Sequence, residues 1–296
     1  MFRIILILMM LVSREPANAQ VPGVEHVIII GCDGMSPDGV RQAKAPHMKR
    51  MMKEGAWTLK ARGVMPTSSS PNWASMIMGA GPEQHGVTSN DWQTNRCEIE
   101  PVARGREGMF PTIFGTIREQ RPEAIIGCFY DWDDFGRLLE RSAVDFMEDS
   151  AGPTNAALHA IEFIRARKPT FTFIHLDHVD HAGHDLGHGT PEYYESVDVA
   201  DKLIGNVLTA LESAGMMERS VVLVTSDHGG VGKSHGKATM AEIEIPWIIF
   251  GRGVKRGHEI QTPVNTCDTA LTVAHLLGVK PHPATIGKPV KEAFAE

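Results

Sequence analysis

The sequence has few cysteines and no excess of basic residues. Its four cysteines, at positions 32, 97, 128 and 267, are far apart and form no CxxC pair, which excludes a zinc knuckle. Disulfides are permitted outside the cytoplasm, but the sequence does not indicate which cysteines would pair. Cys32 and Cys128 fall in apolar segments, so both are predicted to be buried free thiols. Asp and Glu (36) outnumber Lys and Arg (29), for a net charge of −7. Such a chain is not expected to bind nucleic acid, because that binding depends on basic side chains that neutralise phosphate.

Long apolar runs are also missing, apart from one near the start of the sequence. After Arg3, residues 4–12 are apolar, and residues 17–19 have the small-x-small pattern Ala-Asn-Ala. A basic start, a short apolar core and a small-residue cleavage pattern are typical of an export signal, which we expect to occupy residues 1–19. A retained N-terminal anchor is the alternative. The run is too short for a resident membrane helix, so the mature chain, residues 20–296, is expected to be periplasmic or extracellular with no transmembrane segment.

Strand-like and helix-like segments alternate along the chain. Residues 24–31, 171–176 and 220–225 are apolar runs typical of buried strands, while residues 154–167 and 191–214 have helical patterns. The composition, 42% hydrophobic and 22% charged, is typical of a globular protein. Strands and helices that alternate in this way form a mostly parallel sheet covered on both faces. We therefore predict a single α/β domain, a three-layer sandwich with helices on both sides of a central sheet.

Aspartates and histidines directly follow the predicted strand at residues 171–176. Asp177 and His181 are four residues apart, and so are Asp180 and His184. On a helix this spacing places both side chains on one face, where they can bind one cation. The residues themselves do not decide between the two pairs, and a solvated polar loop is the alternative to a metal site.

Two other predicted strands also end in candidate ligands. Asp33 follows the first strand, and Asp227 and His228 follow the strand at residues 220–225, with His235 close behind. Because ligands bind at the carboxyl ends of the strands in open α/β sheets, we expect these side chains to lie at a common site.

A run of four hydroxyl residues, 67–70, precedes Pro71. Proline is favoured in the first turn of a helix, so a helix is predicted to follow, as far as about residue 80. A hydroxyl at a helix N-terminus faces unpaired amides and the positive end of the dipole, a setting that binds phosphate and favours an alkoxide. A simple Ser/Thr helix cap is the alternative.

Together these motifs resemble the alkaline phosphatase superfamily, and most closely its type I phosphodiesterase/nucleotide pyrophosphatase branch, over residues 24–278. The resemblance implies a nucleophile two residues before a Pro-Asn pair, which selects Ser69. It implies an Asn beyond a His-Gly turn that binds the transferred phosphoryl group, which selects Asn90. The family pattern Asp-x-x-Gly-His-x-x-Gly selects Asp180 and His184 as ligands, and leaves Asp177 and His181 as residues that support them.

The resemblance also implies two divalent metal ions. Mixed His and carboxylate ligands suit zinc, with manganese as the alternative. One ion is expected to bind Asp180, His184 and His235. The other is expected to bind Asp33, Asp227 and His228, with Ser69 reaching toward the ions. The chain departs from eukaryotic nucleotide pyrophosphatases at His235, because those proteins place their last His ligand after a long insertion.

The expected function is that of an exported, metal-dependent phosphoric ester hydrolase acting on a small-molecule phosphate ester. No Arg or Lys occurs in residues 67–78, so a singly charged diester is favoured over a dianionic monoester, although Lys233 and Lys237 follow the Asp227 motif. A phosphomonoesterase is one alternative. A sulfatase-like hydrolase is another, but Trp73 stands where sulfatases typically have Arg. A non-catalytic secreted metal-binding protein is the third. The sequence indicates neither the oligomeric state nor the natural leaving group.

Overall fold

The computed structural model describes residues 21–295, which form an eight-stranded sheet between two layers of helices. The predicted export signal, residues 1–19, lies outside the described residues. The strands are β1 His26–Cys32, β2 Ala56–Arg62, β3 Ile126–Tyr130, β4 Phe146–Asp149, β5 Phe171–Leu176, β6 Ser220–Thr225, β7 Glu244–Gly251 and β8 His258–Glu259. The α-helices are α1 Pro37–Gln42, α2 Pro46–Glu54, α3 Ser69–Met78, α4 Pro82–His85, α5 Ile113–Gln120, α6 Pro153–Arg167, α7 His178–Leu186, α8 Pro191–Ser213, α9 Met240–Ile243 and α10 Asp268–Leu277.

The strands lie in the order β4-β3-β5-β1-β6-β7-β2-β8. β1 pairs in parallel with both β5 and β6, and β3 pairs in parallel with β5 and β4. β7 is antiparallel to both of its neighbours. The sheet is therefore mostly parallel, as predicted. The edge strands β4 and β8 were not predicted, because segments of four and two residues are too short for a periodic pattern.

The three layers follow from the alternation of side chains along the central strand β1. Ile28 and Ile30 pack into a core with α1, α2, α6 and α8, whereas Val27 and Ile29 pack into a core with α3, α5 and α10. Successive side chains of a strand point to opposite faces, so a strand covered on both sides is apolar throughout. All seven residues of β1 are buried. The predicted three-layer α/β sandwich is confirmed.

Two further predictions concern cysteines and membrane spans. Cys32 and Cys128 are buried free thiols, as predicted, and no disulfide forms among residues 21–295. Over the same residues, no helix combines the length and the apolar character needed to cross a bilayer.

The segment after β5 forms a helix rather than a polar loop. α7 begins at His178, directly after Asp177, so the Asp180/His184 spacing falls on a helix. Because β5, β1 and β6 are adjacent and parallel, their carboxyl ends meet at one edge of the sheet. The residues that follow these three strands therefore lie close together.

Candidate metal centre

The site is built where β1 and β6 end side by side. Asp33 follows the last residue of β1, and Asp227 lies two residues beyond the end of β6. The backbone turns at Gly34, whose N–H donates to Asp227 Oδ1 at 3.1 Å. Gly34 has φ +65°, and a Cβ at this position would lie 2.8 Å from Asp180 Cα. Glycine is required here, because it tolerates left-handed φ and leaves room for the approaching backbone.

Asp33, Asp227 and His228 form the first group of candidate ligands, with ligand atoms all within 4.8 Å of one another. His228 Nε2 is 3.4 Å from Asp33 Oδ1 and 3.2 Å from Asp227 Oδ2. His228 Nδ1 donates to the Gly229 carbonyl at 2.8 Å, so Nε2 of the neutral ring carries a lone pair. Within the described part of the chain, Asp33 Oδ1 and Asp227 Oδ2 have no hydrogen-bond partner. Unpaired buried carboxylate oxygens beside a ring lone pair fit a divalent cation.

Asp180, His184 and His235 form the second group. His184 is one turn beyond Asp180 on α7, and its Nε2 is 3.1 Å from Asp180 Oδ2. His184 Nδ1 donates to the Lys233 carbonyl at 3.0 Å, and His235 Nδ1 donates to the Thr67 carbonyl at 2.8 Å. The two Nε2 atoms therefore point lone pairs at each other across 3.1 Å. Facing lone pairs repel unless a cation or a proton lies between them.

The two groups meet at His228. The ligand atoms of Asp180, His228 and His235 also lie within 4.8 Å of one another, and the rings of His228 and His235 stack with centroids 3.7 Å apart. The fold thus brings together the six residues predicted as ligands. The donor set fits two neighbouring cations, and which side chains bind each ion stays a prediction.

The carboxylates of this site are buried close together, so the negative charge of one makes ionisation of the others less favourable. Burial, and then the charge of Asp33, raise the pKa of Asp227 well above its usual range. The same two causes raise the pKa of Asp180. Burial acts in the same direction on Asp33, but the hydrogen bond from His175 and the charge of His228 outweigh it and hold the pKa of Asp33 below its usual range. Divalent cations would compensate this concentration of negative charge.

Asp177 belongs to a network behind Asp33. Its Oδ2 is 2.6 Å from Nε2 of His181, whose side chain is 70% exposed. The ligand atoms of Asp33, His175 and Asp177 lie within 4.8 Å of one another, so these residues form a third group that could hold a cation. His175, inside β5, places Nε2 3.2 Å from Asp33 Oδ2 and Nδ1 3.5 Å from Asp131 Oδ1. Burial lowers the pKa of His175, but these two carboxylates raise it to about 9. His175 and Asp131 were not predicted as site residues, because one histidine in an apolar strand is typical of core packing and Asp131 belongs to no recognised motif.

Ser69 is the hydroxyl residue of the 67–70 run that faces the ligand groups. α3 begins at Ser69, and Ser69 Oγ is 3.3 Å from His228 Nε2. Ser68 is the N-cap residue, but over the described residues its side chain makes no capping hydrogen bond. Thr67 Oγ1 donates to a backbone carbonyl at 2.9 Å, and Ser70 Oγ accepts from an arginine at 3.0 Å. The start of α3 therefore places one hydroxyl of the run at the site.

Asn90 and Arg137 approach the start of α3 from two further loops. Asn90 Oδ1 accepts from the Ser70 N–H at 2.8 Å. Arg137, in a short 3-10 segment after β3, donates to Ser70 Oγ at 3.0 Å, bonds the Asn90 carbonyl oxygen and forms an ion pair with Asp134. Residues 67–78 contain no Lys or Arg, but the fold places the guanidinium of Arg137, 67 residues beyond Ser70, next to the hydroxyl run. This contact could not be predicted from the positions of the two residues in the sequence.

A family model matches well over half of this chain. The model of type I phosphodiesterase / nucleotide pyrophosphatase matches residues 27–116 and 131–241. These two segments contain every residue that the sequence analysis assigned to the site.

Individual relatives are more distant. A bis(5'-adenosyl)-triphosphatase of Mus musculus is 24% identical over 233 residues, which cover 74% of this chain and 50% of the relative. Arylsulfatase K of Danio rerio is 39% identical over 92 residues, which cover 29% of this chain and 18% of the relative. The chain spans half or less of the length of these curated relatives. An inactive variant of murine ectonucleotide pyrophosphatase / phosphodiesterase 5, solved in complex with AMP, has the same fold: the TM-score is 0.77 at 17% identity, over 92% of this chain and 100% of that chain.

The substitution Asp227→Asn is expected to change thermal stability in opposite directions with and without metal. In chelator-treated protein it removes one of several crowded buried carboxylates and keeps an acceptor for the Gly34 N–H, so Tm should rise by a few degrees, equivalent to about 1 kcal/mol. With excess zinc the variant should melt below the wild type, because it has lost a ligand.

Thermal unfolding with EDTA and with zinc measures both effects. Glu195→Gln, an exposed carboxylate on α8, is the control and should change Tm little in either buffer. An Asp227→Asn variant less stable than the wild type in both buffers would contradict the assignment of Asp227 to a cation site.

Proposed function

The chain belongs to the type I phosphodiesterase / nucleotide pyrophosphatase family, and on that premise we propose that it is an exported, metal-dependent phosphoric ester hydrolase whose nucleophile is Ser69. One observation carries the proposal. Ser69 Oγ lies at the N-terminus of α3, 3.3 Å from His228 Nε2 and beside both groups of candidate ligands. The apolar run and Ala-Asn-Ala pattern in residues 1–19 support export to the periplasm or the cell exterior.

Two divalent ions are the proposed cofactors, zinc in the first instance and manganese as the alternative. Asp180, His184 and His235 would hold one ion, and Asp33, Asp227 and His228 would hold the other. When bound, the ions supply positive charge that favours an ionised hydroxyl and stabilises the charge on phosphoryl oxygens. The unpartnered carboxylate oxygens of the described chain and the facing ring nitrogens support this assignment.

Ser69 would act as a covalent nucleophile. Its ionised Oγ attacks phosphorus, and the bond from phosphorus to the leaving group breaks. For a diester substrate the covalent intermediate is itself a phosphodiester of Ser69. Water then attacks its phosphorus and the Oγ–P bond breaks, so Ser69 Oγ leaves, takes up a proton, and the phosphomonoester product is released. Backbone amides at the start of α3 and the positive end of its dipole favour negative charge at this point.

Asn90 would bind one nonbridging oxygen of the phosphoryl group. Its Oδ1 is used by the Ser70 N–H, which fixes the amide beside the nucleophile and leaves Nδ2 as the donor for substrate. A neutral donor suits the single charge of a diester. This contact favours phosphodiesters over phosphomonoesters.

The proposed substrate class is a small nucleotide diester or pyrophosphate. The murine relative is a bis(5'-adenosyl)-triphosphatase, and the murine structural neighbour was solved in complex with AMP. The substrate in the first name is a phosphoric anhydride of a nucleoside, and the ligand in the second structure is a phosphoric ester of a nucleoside. The net charge of −7 gives no support for binding polymeric nucleic acid, so a small molecule is the better candidate.

A phosphomonoesterase is the second candidate, and Arg137 is the observation that favours it. A guanidinium beside the nucleophile can neutralise the second charge of a monoester. In this structure Asp134 balances that charge and Arg137 Nη2 is used by Ser70 and Asn90, while the buried Nε has no hydrogen-bond partner among the described residues. Arg137 thus braces the loop of Asn90 against α3, and the diester remains the first candidate.

A sulfatase-like function has less support. At the position where sulfatases typically have Arg, Trp73 is buried and donates through Nε1 to Asp33 Oδ2 at 2.8 Å. The similarity to arylsulfatase K covers 29% of this chain. Trp73 therefore supports a candidate ligand rather than a modified nucleophile.

The substitution Ser69→Ala is expected to lower kcat at least ~1000-fold, because it removes the covalent step. Zinc content and Tm should stay those of the wild type. The matched control is Ser68→Ala, one residue earlier and outside the helix, which should keep kcat within about threefold of the wild type. An inactive Ser68→Ala variant beside an active Ser69→Ala variant would show that the nucleophile is misassigned.

The ratio of diesterase to monoesterase activity tests the substrate class. We expect kcat/KM to be higher for bis-p-nitrophenyl phosphate than for p-nitrophenyl phosphate. Asn90→Ala should cost the diester reaction about 2–4 kcal/mol of transition-state stabilisation. Arg137→Ala should lower both activities to a similar extent, because a brace affects both substrates. A monoester preference that Arg137→Ala removes selectively would establish the phosphomonoesterase instead.

A further inference from the structure

His188 is a buried histidine that the proposed ligand groups do not include. It follows α7 after Gly187 and lies directly beyond the Asp-x-x-Gly-His-x-x-Gly pattern. Its side chain is 3% exposed, and over residues 21–295 neither Nδ1 nor Nε2 has a hydrogen-bond partner. A buried imidazole with both nitrogens unpaired costs stability unless its polar atoms have another use.

The ring of His188 occupies a slot that two glycines leave open. A Cβ added to Gly183 or Gly230 would overlap the ring, and neither glycine has left-handed φ, so the ring itself excludes side chains at these positions. The ring also packs on Tyr193, with centroids 5.0 Å apart. The backbone N–H of His188 donates to the Gly232 carbonyl at 2.7 Å. Three separate segments therefore fix the ring in one orientation.

That orientation aims His188 at the second ligand group. His188 Nε2 is 3.9 Å from Asp180 Oδ1, and Oδ1 likewise has no hydrogen-bond partner among the described residues. The other oxygen of the same carboxylate, Oδ2, is 3.1 Å from His184 Nε2. Oδ1 is also 3.9 Å from His235 Nε2, so it is equally near His188 and this candidate ligand, whereas Oδ2 faces His184. The oxygen toward His188 lacks the outer hydrogen bond that ligating carboxylates usually receive.

We propose that His188 is a positioning residue of the Asp180 ion site: its Nε2–H donates to Asp180 Oδ1 when the ion is bound and holds the carboxylate with Oδ2 toward His184. The inference rests on the proposed two-ion function. It gives Gly183 and Gly230 a shared purpose, because both make room for this ring. It also explains why a polar ring fills a slot that an apolar side chain could fill at lower cost.

Three substitutions at His188 test the inference through zinc affinity. The Nε2 of Gln lies where imidazole Nε2 lies, so His188→Gln can still donate to Asp180 Oδ1. The amide of Asn reaches no farther than imidazole Nδ1, so His188→Asn cannot, and His188→Ala has no donor. We expect His188→Asn and His188→Ala to weaken one of two zinc sites by about 10–100-fold, and His188→Gln to stay within about threefold of the wild type.

Competition with a chromophoric chelator, on the full chain reconstituted with zinc, gives these affinities without an activity assay. The Tm of each variant in EDTA reports packing separately. Equal affinity losses in all three variants would overturn the inference and identify His188 as a direct ligand or as packing. Unchanged affinity in His188→Ala would also overturn it. The visible absorption of the cobalt-substituted protein should be the same for wild type and His188→Gln, because the ring is not a ligand. A wild-type protein that binds no zinc would instead refute the proposed function itself.

Discussion

Charge repulsion among three carboxylates buried at one edge of the sheet is the constraint on which the rest of the site depends. Asp33, Asp180 and Asp227 are each less than 10% exposed, and burial there favours neutral forms unless positive charge lies near. The ring nitrogens facing the carboxylates are oriented as acceptors, because His228, His184 and His235 all use Nδ1 to donate to backbone carbonyls. Carboxylate oxygens and ring nitrogens crowded in this way lower the stability of the metal-free protein, but they are suited to binding cations. Such a site costs stability for the sake of function.

Much of the fold and part of the site could be predicted from the sequence, because those parts depend on local patterns. The apolar runs of β1, β5 and β6 are buried on both faces, so they stand out without any three-dimensional information. Their parallel arrangement then implies that the side chains after them meet. Residue spacing alone did not choose between the two Asp/His pairs of α7, since both have the same offset. The resemblance to a family made that choice, and the structure shows the Asp180/His184 pair facing the other ligand group.

The rest could not be predicted, because it depends on contacts between residues distant in sequence. His175 lies in an apolar strand, and its partner Asp131 is on the loop after β3. Arg137 reaches Ser70 from 67 residues away, so the lack of nearby basic residues was a poor guide to the charge around the proposed nucleophile. His188 is recognisable only through the slot that Gly183 and Gly230 leave for its ring. In each case the sequence gives the residue type but not the neighbour that decides its role.

The central claim is that this edge of the sheet holds two divalent cations. The most direct test is the metal content of the full chain, stripped with a chelator, reconstituted with zinc, freed of excess metal and measured by elemental analysis. The account predicts about two zinc ions per chain, because two adjacent groups of three candidate ligands lie at this edge. A content of less than about one ion per chain would contradict it.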